Sequence, residues 1–241
     1  MQCKQILKKS LKIISLAFIV VTIAFQAPFL HRKYIRSIAE ESAVQIFGLE
    51  GVGSGSHVQL ADGKIVILTN KHICQMTGPL LVKGEKELLP IARKIIEISK
   101  YHDLCAIEAL PNHKGISLGS DPVYGDELYT LGHPRGEALN VAKGEFFDYK
   151  IISMGESPRS DLTCEEGKLI QQITMFGMYS VCVYQRNAFQ VSSPTYPGNS
   201  GSPVVNKYGN LVGVIFAGDP SIQNSGMAVP LSYVKEFLAN L

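Results

Sequence analysis

Three short stretches carry side chains that together could perform nucleophilic chemistry at a carbonyl. Leu68–Cys74 (LTNKHIC) places His72 where a hydrophobic run gives out. Tyr101–Ile107 (YHDLCAI) places Asp103 at the mouth of an apolar run, where its charge calls for a partner. Pro197–Pro203 (PGNSGSP) places Ser200 between glycines just ahead of a hairpin. Glycines there let the backbone bend tightly and let a carbonyl group approach main-chain N–H groups. A hydroxyl is a weak nucleophile until a base takes its proton, and the base in turn needs an acid to orient it. Each stretch alone is an ordinary strand end, acid or turn; the information lies in their combination and order. Four other histidines fit the base role poorly: His57 lies in a strand, His102 abuts Asp103, His113 sits in a Pro-Asn-His-Lys loop and His133 precedes Pro134. No C-x-x-C or H-x₃-H spacing is present to suit a zinc site; no metal is expected, and no cofactor.

The elements that must position these residues are short, β-branched runs between turn signals. His57–Leu60 and Lys64–Thr69 flank Ala61-Asp62-Gly63, and Asp-Gly is a strong hairpin signal. Val204-Val205 and Leu211–Phe216 flank a second, longer turn. Further strands are predicted at Leu80–Lys83, Ile91–Ile98, Leu104–Glu108, Glu127–Leu131, Phe146–Ser153, Ile170–Met175 and Ser180–Tyr184. Strand after strand reads as an all-β protein. Two barrels, divided near Ser120–Gly125, suit the length better than one. At the carboxyl end Val234, Phe237, Leu238 and Leu241 share one helical face, with Ser232 as the expected cap.

Apolar residues are 46% of the 241, enough for a substantial core, which excludes disorder. Residues 1–36 hold seven Lys or Arg and no acid, leaving 16 basic and 21 acidic residues, or −5, for residues 37–241. That balance argues against a nucleic-acid-binding body, which needs a cationic face. Lys4, Lys8, Lys9 and Lys12 precede an uncharged run from Ile13 to Leu30. A basic head and an apolar run read as an export address over residues 1–36. It is expected to be a single-pass membrane anchor; the alternative is a signal cleaved after Ala24. Either way residues 37–241 are expected outside the cytoplasm. Cys74, Cys105, Cys164 and Cys182 then lie in the exported body, with Cys164–Cys182 the expected pair and four free thiols the alternative.

The order His…Asp…Ser resembles the trypsin-like (chymotrypsin-fold) serine proteases, and within them the Deg/HtrA type, from about Ser54 to the carboxyl end. Gly53-Ser54-Gly55-Ser56, Thr69–Ile73, Asp103–Ile107, Leu131–Gly136, Pro197–Pro203 and Gly226–Pro230 followed by Val234-Lys235 are similar to that family's motifs in that family's order. The resemblance implies two six-stranded antiparallel β-barrels, about 41–122 and 123–230, and a C-terminal helix over 231–241. It implies a serine endopeptidase, without a PDZ module after Pro230, acting on protein or peptide substrates. Ser200 would be the nucleophile, His72 the base and Asp103 its orienting acid, with the N–H groups of Gly198 and Ser200 binding the oxyanion. The primary substrate pocket would have its base near Pro194 and Thr195 and walls from Phe216, Ala217, Gly218 and Gly226. None of these is acidic, so an apolar side chain is expected before the cut, unless Asp219 turns inward. Asn199 beside the serine is uncharged, so no new amino terminus is needed to pair with it. The chain departs from the family at Ser202, where a second glycine is usual, and over Glu145–Gln190. The competing reading is a catalytically inert protease-fold binding module, or pseudoprotease, tethered at a membrane; a structural anchor protein is a third. A homo-oligomer is compatible with the sequence.

Overall fold

Side-chain alternation decides how the strands are used. The computed structural model describes residues 26–156, 164, 168–174, 177–218, 222 and 224–241. In β3 (Ile65–Thr69), Ile67 belongs to the interior of a first barrel, while Val66 and Leu68 belong to a separate apolar layer. In β7 (Cys105–Glu108), Cys105 and Ile107 face that interior and Ala106 the layer. Strands β8 (Glu127–Gly132) and β12 (Pro203–Asn206) do the same from the other side. Leu128 and Val204 fill a second barrel, and Tyr129, Leu131 and Val205 join the shared layer. Period-two strands with both faces apolar therefore build two barrel cores and the seam between them.

The first barrel contains β1 (Ala43–Gly48), β2 (Gly51–Gln59), β3, β4 (Leu81–Gly84), β5 (Ile91–Ala92), β6 (Ile95–Ile98) and β7, in the order β5-β4-β1-β2-β3-β7-β6. The run Ile91–Ile98, expected as one strand, bends at Arg93-Lys94. Its first half pairs with β4 and its second with β7. Because those are the two ends of the order, the bent run joins them, and the barrel is a closed ring of six. The second barrel adds β9 (Asn140–Glu156), β10 (Lys168–Thr174), β11 (Gly177–Val191), β13 (Leu211–Gly218) and β14 (Gly226–Pro230) to β8 and β12. Its ring β11-β14-β13-β12-β8-β9 closes through β9–β11 pairing. Strand β10 lies outside it, on the amino-terminal half of β11. Strands β9 and β11 are longer than expected because their register stays continuous from Gln190↔Asp148 out to Cys182↔Glu156. The described part of the stretch that departs from the family is thus a three-stranded antiparallel extension of β9, β11 and β10.

Among the described residues three α-helices complete the fold: α1 (residues 26–42), α2 (Lys71–Cys74) and α3 (Leu231–Leu238). Residue 36, where the address was expected to end, lies inside α1. Ile35 and Ala39 are fully buried in the layer between the barrels, and Arg36 Nη1 donates to Leu139 O at 3.2 Å. Residues 1–25, with most of the apolar run and the expected cut after Ala24, lie outside the described residues. Among the described residues no helix is long and apolar enough to cross a membrane. Helix α3 buries Val234, Phe237 and Leu238, but Leu241 is partly exposed. Ser232 is not its cap: Pro230 holds that position, without a side-chain bond, because β14 runs directly into the helix.

Two disulfides are present. Cys164–Cys182 is the expected pair, and Cys74–Cys105 joins α2 to β7, which sets aside the reading of four free thiols. The second bond spans 31 residues. A loop of that size removes about 3–4 kcal/mol of chain entropy from the unfolded state. Replacing both Cys74 and Cys105 by Ala is expected to lower unfolding free energy by about 3 kcal/mol in a denaturant titration. An unchanged midpoint would show that the bond adds nothing.

Candidate active site

His72 owes its position to a helix of a single turn. Asn70, buried at its start, donates through Nδ2 to Asp103 O at 2.9 Å, tying the end of β3 to the loop before β7. Asp103 then grips His72 at two points. Oδ1 accepts the His72 backbone N–H at 3.0 Å, and Oδ2 lies 2.8 Å from Nδ1. A carboxylate only accepts, so Nδ1 carries a proton, and in the neutral ring Nε2 is the nitrogen with the lone pair. Among the described residues Nε2 has no protein partner, and the ring is about half exposed. The Cys74–Cys105 bond lies two residues beyond each member of this pair.

Four of the other histidines are occupied. His57 Nδ1 donates to Ser42 O and Nε2 accepts the Leu110 N–H, and burial pushes its pKa down to about 4. His113 stacks on His57 and reaches Glu41 O and the Glu87 carboxylate. His102 stacks on Tyr233 and faces Glu236. His133 is buried against Glu85. None of these four presents a free ring edge to a cleft.

The Ser200 loop is shaped by glycines whose freedom is needed. Gly198 and Gly201 have φ of 93° and 87°. A Cβ on Gly201 would lie 1.9 Å from Ser54 O and 2.3 Å from Thr69 Oγ1, so the loop lies directly on the strand end that leads to His72. Ser54 of β2 is the junction. Its N–H donates to Ser200 O (2.7 Å), its Oγ donates to Gly198 O (2.7 Å), and its carbonyl accepts Thr69 Oγ1 (2.7 Å). Ser202, in place of the family's second glycine, is accommodated by Gly132, where a Cβ would come within 1.9 Å of Ser202 Oγ. The Ser200 hydroxyl leans on Phe216 O at 3.4 Å and is not bonded to His72. Such contacts commonly tighten only when substrate arrives. Among the described residues the N–H groups of Gly198 and Ser200 donate to no protein acceptor.

Beside Ser200 lies a cavity of about 360 Å³ lined by Thr195, Tyr196, Pro197, Ala217, Gly218, Ile222, Asn224 and Ser225. Of the six residues expected there, Thr195, Ala217 and Gly218 line it. Phe216 is buried in the layer between the barrels, and Gly226 sits behind Thr195, whose Oγ1 would be 2.5 Å from an added Cβ. Pro194 is not in the lining; its carbonyl faces Asn199 Nδ2 at 3.5 Å. Ile222 and Asn224 come from a loop with no periodic pattern, which is why sequence reasoning missed them. Asp219 lies outside the described residues, and no carboxylate is among the described lining residues. No group of His, Cys, Asp and Glu able to hold a metal ion occurs among the described residues.

Two closed antiparallel barrels, one bearing an oriented histidine–aspartate pair and the other a glycine-flanked serine, define the chymotrypsin-type framework. Residues 53–214 match the trypsin-like peptidase domain, and the chain belongs to that family. It is 25% identical over 199 residues to the serine protease HtrA-like of Staphylococcus aureus, a match covering 79% of this chain and 23% of that protein. The chain thus spans under a quarter of that relative's length. Its fold is similar to the active form of the Rv3671c protease of M. tuberculosis, with TM-score 0.67, 18% identity, and 88% and 86% of the two chains covered. It is also similar to the serine endoprotease of Yersinia pestis, with TM-score 0.62, 18% identity, and 86% and 65% covered.

Proposed function

We propose that the chain is a serine endopeptidase that hydrolyses peptide bonds through an acyl-enzyme intermediate. The observation that carries this reading is the two-point grip of Asp103 on His72, which fixes the tautomer of the neutral ring and leaves its Nε2 open. Ser200 Oγ attacks the peptide carbonyl while His72 Nε2 takes its proton. The same proton then goes to the leaving amine, and water repeats the cycle on the ester. Asp103 holds the tautomer and stabilises the imidazolium. The undonated N–H groups of Gly198 and Ser200 serve the oxyanion, each worth about 10²–10³ in rate. Export of the body agrees with two disulfides, which persist in oxidising compartments. Attachment to a membrane through the N-terminal segment is part of the same reading.

The cavity beside Ser200 takes the side chain preceding the cut. Its described lining residues offer no carboxylate, so a buried Lys or Arg would go unpaired among them, at a cost of several kcal/mol. A small or medium apolar chain instead gains about 0.8 kcal/mol per buried CH₂. Profiling the protein with a peptide library is expected to show cleavage after Val, Ala, Ile or Leu. Dominant cleavage after Lys or Arg would sink the apolar pocket and point to Asp219.

A further inference from the structure

We propose that Glu85 and His133 form a hydrogen-bonded link between the barrels that sets the oxyanion peptide, making His133 a positioning residue for the hydrolysis proposed above. The inference rests on that peptidase reading. His133 follows β8 of the second barrel and is 2% exposed; Glu85 follows β4 of the first. His133 Nε2 and Glu85 Oε1 are 3.1 Å apart, and the carboxylate accepts. Burial lowers the His133 pKa, which favours the neutral ring, and Lys83 is the cation that faces it.

The backbone of the same turn reaches the Ser200 loop from three directions. The His133 N–H donates at 3.0 Å to Ser54 Oγ, the group that donates to Gly198 O. The His133 carbonyl lies 2.7 Å from where a Cβ on Gly198 would stand. The Arg135 N–H donates to Pro197 O at 2.6 Å. Since the Pro197–Gly198 peptide is planar and trans, holding its carbonyl toward Arg135 turns the Gly198 N–H the opposite way. That N–H is one of the two oxyanion donors.

The turn does not hold this shape by its own preference. Arg135 has φ 57°, a left-handed conformation that a non-glycine side chain disfavours. Contacts from the first barrel keep it there: Ser54, Gln45 through Nε2 to Gly136 O at 2.6 Å, and Glu85. Glu85 makes no hydrogen bond to the Ser200 loop and its side chain is one-third exposed, so it can be changed with little disturbance of the fold.

Peptide hydrolysis by wild type, Glu85→Ala and Glu85→Gln, measured well below each protein's melting temperature, tests the link. Glu85→Ala is expected to lower kcat by about tenfold to a hundredfold, with KM within about twofold, because a displaced donor forfeits transition-state rather than ground-state binding. Glu85→Gln keeps an oxygen that accepts from Nε2–H and is expected to stay within about threefold of wild type. A Glu85→Ala kcat within about twofold of wild type, a loss confined to KM, or an equal loss in Glu85→Gln would overturn the proposal. No hydrolysis by the wild-type protein would instead bring down the peptidase reading, and the link with it.

Discussion

Ser200→Ala is expected to abolish peptide hydrolysis, lowering kcat by about 10⁴–10⁶, while the denaturation midpoint stays nearly unchanged. The asymmetry follows from what the residue does structurally. Its backbone carbonyl takes the Ser54 N–H, and this bond survives the substitution. Its hydroxyl makes one long contact, 3.4 Å to Phe216 O, so its removal costs the fold little. Only the residual rate from the oxyanion donors and from substrate binding remains. Covalent labelling by a fluorophosphonate should disappear in parallel. A variant that digests casein at nearly the wild-type rate would refute the nucleophile assignment.

Asp103→Asn is expected to lower kcat by about 10⁴ in a protein that still folds. Two donors, the His72 backbone N–H and Nδ1–H, meet the two carboxylate oxygens at 3.0 and 2.8 Å. An amide offers one acceptor and one NH₂ in their place, so one of the two bonds must fail. If the NH₂ faces Nδ1, the ring answers by moving its proton to Nε2, and it can then no longer accept from Ser200. A circular dichroism spectrum matching wild type, together with the kinetic loss, is the expected result. A rate within about tenfold of wild type would show that His72 does not depend on this orientation.

Much of this site was legible because its parts are local. Asn70-Lys71-His72, Asp103-Leu104 and Gly198–Gly201 each sit at a strand end or a turn that glycine and alternation announce, and the family's order ties them together. What depends on long-range approach was not legible. The Cys74–Cys105 bond requires α2 and β7 to meet across 31 residues of chain, whereas Cys164–Cys182 was visible as the two ends of a hairpin. Strand β1 (AVQIFG) lacks turn signals of its own and is specified by pairing with β2 and β4. Helix α1 was masked by its charges: Arg32, Lys33 and Arg36 read as the flank of an address. Ile35, Ile38, Ala39 and Ser42 nevertheless recur at helical spacing and are the signal that would have found it. The glutamate–histidine link from β4 to β8 has no sequence signature at all.

The centre is divided unevenly between the two barrels. His72 and Asp103 belong to the first, where the Cys74–Cys105 disulfide ties together the two segments that carry them; Ser200, the two N–H groups proposed for the oxyanion and the cavity belong to the second. A fragment ending in the Ser120–Gly125 connection would keep a well-oriented base with nothing to deprotonate. The complementary fragment would keep a hydroxyl with no base. The proposed hydrolysis is therefore owned by neither half: it requires their shared boundary, where Ser54 bonds to Ser200 and Gly198, and it would measure how faithfully that boundary is kept.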